Sequence, residues 1–301
     1  MIHTNNWIKN SLLIGAVAVV GSTFIYATST GTNTNSVDVS NHVYLPNTIN
    51  FAGEKAPLNI VDVKERLDRE MIVNVNLHSS TTLAIKRANR YFPIIEPILK
   101  KNGIPDDFKY LAVIESGLAN VVSSAGARGF WQFMPATAKE FSMEVTDTVD
   151  ERYDVVKATE AACEYFKRAK NRFGTWTLAA ASYNRGMAGV SNQLTAQQVS
   201  DYYDLLLTEE TSRYVFRILA LKEIMQNPDK YGYALPQSTL YQPIKTKNLV
   251  VNTDIEDLAA FAKEQGINYK ILKLHNPWMR DTKLIVTPLK NYLVEIPTEG
   301  Y

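Results

Sequence analysis

Cysteine is all but missing from this 301-residue chain: Cys163 stands alone, so no intramolecular disulfide can form. Histidine is nearly as scarce, and His3, His42, His78 and His275 lack the close spacing of a zinc site. Metal and thiol redox catalysis are therefore not expected, and no motif calls for a cofactor. An excess of either charge is lacking too, since 32 Lys and Arg stand against 31 Asp and Glu for a formal charge of +1. That balance argues against a nucleic-acid partner, which would draw on a basic surplus. Long apolar runs are absent as well. The one near the N-terminus, Ser11 to Ala27, falls just short of the roughly 20 residues that span a bilayer.

What is present begins with an export signal, Lys9 and the amino terminus ahead of that apolar run. Ala27-Thr28-Ser29 offers a small-x-small cleavage site, so residues 1–29 read as a signal peptide or a membrane anchor. Membrane association through residues 11–27 stays open, whereas a lipoprotein anchor is excluded because no cysteine follows. Residues 30–60 read as a flexible tether, because Thr28 to Asn41 is mostly Thr, Ser, Asn and Gly and cannot offset the entropy of ordering. The remainder, with 46% hydrophobic residues in the chain overall, suffices for one good core and a smaller second unit.

Helical patterning starts at Val61, continues through Thr82 to Lys100 with bends expected at Pro93 and Pro97, and dominates to about Asn227. Gly103-Ile-Pro105-Asp-Asp107 has the form of a helix start, Pro in the first turn and carboxylates at the positive end of the dipole. Ala158, Ala161, Ala162, Tyr165, Phe166 and Ala169 form one core-facing stripe. Further helices are expected at Trp176 to Gly186 and Glu209 to Met225. After Gly232 the texture changes to strand (Leu249 to Val251), two short helices (Asp257 to Glu264, Tyr269 to Leu274) and strand (Tyr292 to Ile296). The fold class expected is mainly α, a helical domain over residues 61–235 followed by a small α+β module over 236–301.

In the helix after Pro105, the residues Phe108, Leu111, Ala112 and Glu115 fall at i, i+3, i+4 and i+7, so a carboxylate ends an apolar face. Partial desolvation there would raise its pKa and keep a proton available for general acid chemistry. By position alone, the simpler reading is that Glu115 ends its helix in water.

The surrounding motifs alter that balance. They are Glu115-Ser116, then Gly126-Ala-Arg-Gly129-Phe-Trp-Gln132-Phe-Met134-Pro135, then Ala181-Ser-Tyr183-Asn184-Arg-Gly186, then Glu210-Thr211-Ser-Arg-Tyr214. In this order and spacing they resemble the lytic transglycosylases with a soluble-lytic-transglycosylase (goose-lysozyme-like) catalytic domain, of the membrane-bound lytic murein transglycosylase D type. The resemblance covers roughly residues 61–230 and implies a lysozyme-like fold. It makes Glu115 the catalytic acid and base, Tyr183 the tyrosine that hydrogen-bonds and orients it, and Asn184 its supporting neighbour. Ser123, Gln132 and Met134 match positions lining the saccharide groove, and Glu210 and Tyr214 match a late motif beside the cleft. Met134 and Tyr214 each keep a plain core reading beside this one, Gly126 and Gly129 read as backbone-conformation residues, and Trp131 as a buried aromatic in preference to a sugar-stacking platform. The chain departs from the common pattern at Leu118-Ala119-Asn120 and at Arg185, which would add a cation near the ligand.

Most glycosidases use two carboxylates. The motifs here supply one, because Asp147, Asp150 and Asp154 read more simply as caps and turn formers. The resemblance implies that the substrate supplies its own nucleophile, so that peptidoglycan glycan strands are cut between N-acetylmuramic acid and N-acetylglucosamine to leave 1,6-anhydromuramyl ends. It also implies a periplasmic location, secreted through or anchored to the inner membrane. A lysozyme-type hydrolase and a non-catalytic peptidoglycan-binding or scaffolding protein are the alternatives. The last module is similar to a diverged LysM unit, for which glycan binding and a structural role both stay open.

Overall fold

The computed structural model describes residues 43–299. The expected export segment at 1–29 and the first part of the expected tether, to residue 42, lie outside the described residues. Among the described residues no helix is long and apolar enough to cross a membrane.

The helical domain is built on buried stripes at helical spacing. Helix α1 (Val61–Asn76) buries Val63, Leu67 and Met71. Helix α2 (His78–Lys101) runs through Pro93 and Pro97 without ending. A 3-10 turn at Asp106–Phe108 precedes α3 (Lys109–Ser116), so the helix foreseen after Pro105 becomes regular one turn later. Next come the short α4 (Pro135–Glu140) and then α5 (Val155–Phe173), which Asp154 caps by accepting from the amides of Val156 and Lys157. Thr175 caps α6 (Trp176–Arg185), in which Ala179, Ala180 and Ala181 are fully buried and admit neighbouring helices closely. Helix α7 (Met187–Gln197) follows, and α8 (Glu209–Gln226) buries Tyr214, Val215, Phe216, Ile218 and Leu219 at the centre, packing on α1, α3 and α6.

One expectation is corrected at the start of this domain, where residues 43–60 are not a tether. Asn50–Phe51 (β1) and Glu54–Lys55 (β2) form a small antiparallel hairpin. Phe51 is fully buried, with its ring 4.9 Å from that of Phe108. Glu54 accepts from the amides of Trp176 and Thr177 at 2.7 and 2.8 Å, placing a carboxylate at the positive end of α6. Ile49, Phe51 and Ala56 supply the apolar burial that offsets their ordering.

The C-terminal module follows the order read from the sequence: β3 (Thr246–Val251), α9 (Leu258–Glu264), α10 (Tyr269–His275) and β4 (Tyr292–Pro297). The strands pair antiparallel from Thr246↔Pro297 to Val251↔Tyr292. Val251, Leu258, Leu272, Tyr292, Val294 and Ile296 form its core, and Val149 and Tyr153 of the helical domain are buried in that same cluster.

Candidate active site

The site forms where the C-terminal end of α3 meets α8, α6 and the loop before α4. Six successive buried residues, Lys109 to Ile114, fix α3 in the core, and Gly117 ends it in the left-handed region at φ 60°. Glu115 is thereby delivered at the edge of the core, surrounded by protein while keeping some contact with solvent. Ser116 ties the loop to this helix end, its single hydroxyl hydrogen shared between the carbonyls of Ala112 (3.0 Å) and Phe130 (2.9 Å).

Burial pushes the Glu115 carboxyl up to about 7. A hydrogen bond from Tyr214 and the positive charge of Arg217 pull it back, and the charge of Glu210 adds to the rise. The Tyr214 hydroxyl donates to Glu115 Oε1 at 2.5 Å, and Arg217 donates to the carbonyl of Ile114 at 3.2 Å. Glu210, Tyr214 and Arg217 are spaced i, i+4, i+7, so α8 presents all three on one face. Arg217 was missed at the sequence level, although this spacing from two motif residues was there to be read.

The expected orienting bond from Tyr183 to Glu115 is not formed, and the donor is Tyr214 instead. The Tyr183 hydroxyl spends its single hydrogen on the carbonyl of Trp131 at 2.7 Å. It still lies close enough that, after burial, the negative charge of Glu115 helps push its own pKa up. Tyr214, which had both a core and a site reading, is 2% exposed, with its hydroxyl bonded to the Glu115 carboxylate.

Asn184 and Glu210 meet: the Asn184 amide donates to Glu210 Oε1 at 3.0 Å while its oxygen accepts from Thr211 at 2.7 Å. The loop from 121 to 134 holds the remaining candidates. Gln132, at φ 49°, donates its side-chain amide to the carbonyls of Val121 and Gly129, so only its carbonyl oxygen is left to meet a ligand. The Ser123 hydroxyl accepts from the amide of Ala127 at 3.0 Å and so shapes the turn it belongs to. Met134 is 41% exposed and therefore no core residue. Trp131 is fully buried and donates its indole N–H to Thr159. Gly129 is required by close approach, since a Cβ there would lie 1.7 Å from the Arg152 carbonyl oxygen.

Two of the three aspartates are engaged elsewhere, and the third is exposed. Asp147 is exposed in the turn between Thr146 and Val149, Asp150 is held by Arg152 at 2.8 Å, and Asp154 caps α5. Arg185 is exposed at the end of α6 and reaches Thr208 at 3.4 Å.

Residues 92–205 match the family model described as the transglycosylase SLT domain, and residues 247–300 match that of the soluble lytic transglycosylase C-terminal LysM-like domain. The first contains Glu115, the loop, Tyr183 and Asn184 but ends before Glu210 and Tyr214. The membrane-bound lytic murein transglycosylases D of Escherichia coli K12 and of Escherichia coli O6:H1 are each 28% identical over 243 residues, covering 78% of this chain and 52% of the relative. A protein of Alteromonas sp. (strain M-1) named for tributyltin chloride resistance is 32% identical over 114 residues, covering 37% of this chain and 55% of that protein. The chain spans about half the length of the curated relatives it matches. It thus carries a transglycosylase SLT domain over residues 92–205, followed over residues 247–300 by a LysM-like domain of the soluble lytic transglycosylase C-terminal family.

Proposed function

We propose that this protein is a peptidoglycan lytic transglycosylase in which Glu115 is the only catalytic carboxylate. The observation that carries this reading is a carboxyl at the edge of the core with its pKa lifted to about 7, while its carboxylate neighbour Glu210 is held by Asn184, Asp150 by Arg152, and Asp154 caps α5. A group so poised holds a proton near neutrality and can also take one back. Protonated Glu115 gives its proton to the oxygen joining N-acetylmuramic acid to N-acetylglucosamine, and the C1–O bond breaks. The substrate's own N-acetyl group steadies the positive charge left on the muramyl ring. Glu115, now a carboxylate, removes the proton from the muramyl C6 hydroxyl, whose oxygen closes on C1. The products are a free N-acetylglucosamine hydroxyl and a 1,6-anhydromuramyl end, with no water consumed.

Around this centre, Tyr214 holds Glu115 in place, the Asn184–Glu210 pair borders the cleft, the Gln132 carbonyl accepts a saccharide donor, and Met134 packs on a sugar face. Tyr183 supports from behind, through the Trp131 carbonyl. The substrate lies in the periplasm, which fits a chain exported through or held at the inner membrane by its N-terminal segment.

Mass spectrometry of muropeptides released from purified sacculi tests the reading. Products one water lighter than reducing-end muropeptides, absent with Glu115→Gln, are expected. Reducing-end products would make the protein a lysozyme-type hydrolase, and no product from folded protein would favour a binding or scaffolding role.

A further inference from the structure

The seam between the C-terminal module and the helical domain is left unused by the reaction above, yet side chains and backbone from both parts meet in it. One strip, residues 144–154, lies in it. On its module side the Glu144 carboxylate, 9% exposed, accepts from Thr287 (2.8 Å), Lys290 (2.7 Å) and the Tyr292 hydroxyl (2.7 Å). The strip's backbone then pairs with the module: the Asp150 amide donates to the Trp278 carbonyl and the Arg280 amide to the Thr148 carbonyl, both at 2.8 Å. Val149 and Tyr153 complete the module's core, and the Arg280 guanidinium lies 4.2 Å from the Tyr153 ring centroid.

The other side of the same strip holds the loop of the candidate site. Arg152, clamped by Asp150, donates to the carbonyls of Gly126 and Phe133 at 3.2 Å each. Its own carbonyl sits against Gly129, and Asn120 donates to the Tyr153 carbonyl. That loop carries Gln132 and is fastened to Ser116 and Tyr183 through the carbonyls of Phe130 and Trp131. The module is held at its linker as well. The Tyr241 amide donates to the Lys86 carbonyl, Asn89 donates to the Tyr241 carbonyl, and Arg90 donates to that of Gln242.

We infer that the C-terminal module is a fixed brace for the substrate loop, and that Glu144 is the positioning residue through which the brace acts. Three donors from the module converge on one part-buried carboxylate. Removing that carboxylate leaves Lys290 its longer 3.9 Å contact with Glu151 and Tyr292 its bond to Thr287, and loosens the strip, while Arg152 passes the movement to Gly126 and Phe133 of the loop. A small misplacement of groove residues is enough to slow a reaction that depends on substrate position.

The experiment compares the full chain with Glu144→Ala, Glu144→Gln and Tyr292→Phe by amide hydrogen exchange of residues 121–133 and 144–154, and by initial rates on purified sacculi across pH. For Glu144→Ala, exchange about tenfold faster or more in both segments is expected. A rate lower by about tenfold to a hundredfold should accompany it, with the pH limb of Glu115 unmoved and Glu144→Gln falling between. Faster exchange confined to 144–154 and the module, with 121–133 unchanged, overturns the proposal, as does a loosened loop with the full wild-type rate. If Glu144→Ala does not fold, Tyr292→Phe removes a single hydroxyl and is read by the same criteria. The rate arm rests on the lytic transglycosylase reading and the exchange arm does not, so coupled exchange without anhydro products would keep the brace and count against the reaction alone.

Discussion

Glu115 must hold a proton near neutrality and then accept one, and its neighbours set that balance by opposing each other. Burial and Glu210 favour the neutral form, while Tyr214 and Arg217 favour the charged one. Tyr214→Phe removes a donor to the carboxylate, so the Glu115 pKa should rise further. The limb on which activity falls as Glu115 deprotonates should then move to higher pH, with a rate loss of about tenfold to a hundredfold. A pH profile of kcat/KM with its limb unmoved, or moved down, would remove Tyr214 from this role. The same shift has a cost in stability. The folded-state value lies above the unfolded one, so the unfolded chain sheds its proton first as pH rises. Stability is therefore full below about 4.5 and declines until about 7. The difference is about 3 kcal/mol for a shift of this size. Glu115→Gln, which cannot ionise, should gain in Tm over wild type at pH 8 and gain much less at pH 4.5, and equal differences at the two pH values would contradict the burial argument. The position of Glu115 was legible because its i, i+3, i+4, i+7 spacing is local. Its hydrogen-bond partner was not, because choosing Tyr214 over Tyr183 depends on how two helices meet across 99 residues of sequence separation.

Elements with a buried stripe were read well and those without one were not. Helices α5, α6 and α8 announce themselves through repeated buried positions, whereas α7 buries only Val190 and carries almost no periodic signal. Residues 43–60 escaped notice for a related reason: Ile49, Phe51 and Ala56 are too few and too irregular to suggest a strand or helix, yet each fills a place in a core assembled elsewhere. Within the loop from 121 to 134, two glycines with similar φ, Gly126 at 89° and Gly129 at 80°, differ in their surroundings. Open space surrounds a Cβ at Gly126, while one at Gly129 would strike the backbone of Arg152. Gly126→Ala should therefore cost about 1–2 kcal/mol from backbone conformation alone. Gly129→Ala should cost more than about 3 kcal/mol, because strip and loop would be driven apart. Urea unfolding of the two variants measures the difference, and equal costs would mean that the contact between strip and loop yields easily.

Across the whole molecule, a sequence boundary near residue 235 does not mark a mechanical one. The module's order of strand, two helices and strand was plain from composition, but its docking was not. The residues that make the seam, Glu144, Val149 and Tyr153, sit in a polar stretch whose aspartates read as turn formers, and nothing local announces that Glu144 will meet Lys290 and Tyr292. Because Val149 and Tyr153 complete the module's core, unfolding either part exposes apolar surface of the other and strips three donors from a part-buried carboxylate. Residues 43–299 should thus unfold in one cooperative transition rather than two. Pulsed amide exchange at increasing urea, read separately on peptides from α8 and from β3 and β4, should give coincident midpoints. Glu144→Ala should separate them, the module melting first, because its own two-stranded sheet and two short helices are too small to be stable without the seam. Separate midpoints in the wild-type chain would mean that the module folds by itself, and the contacts through Thr287, Lys290 and Tyr292 would then be mere docking rather than part of one fold.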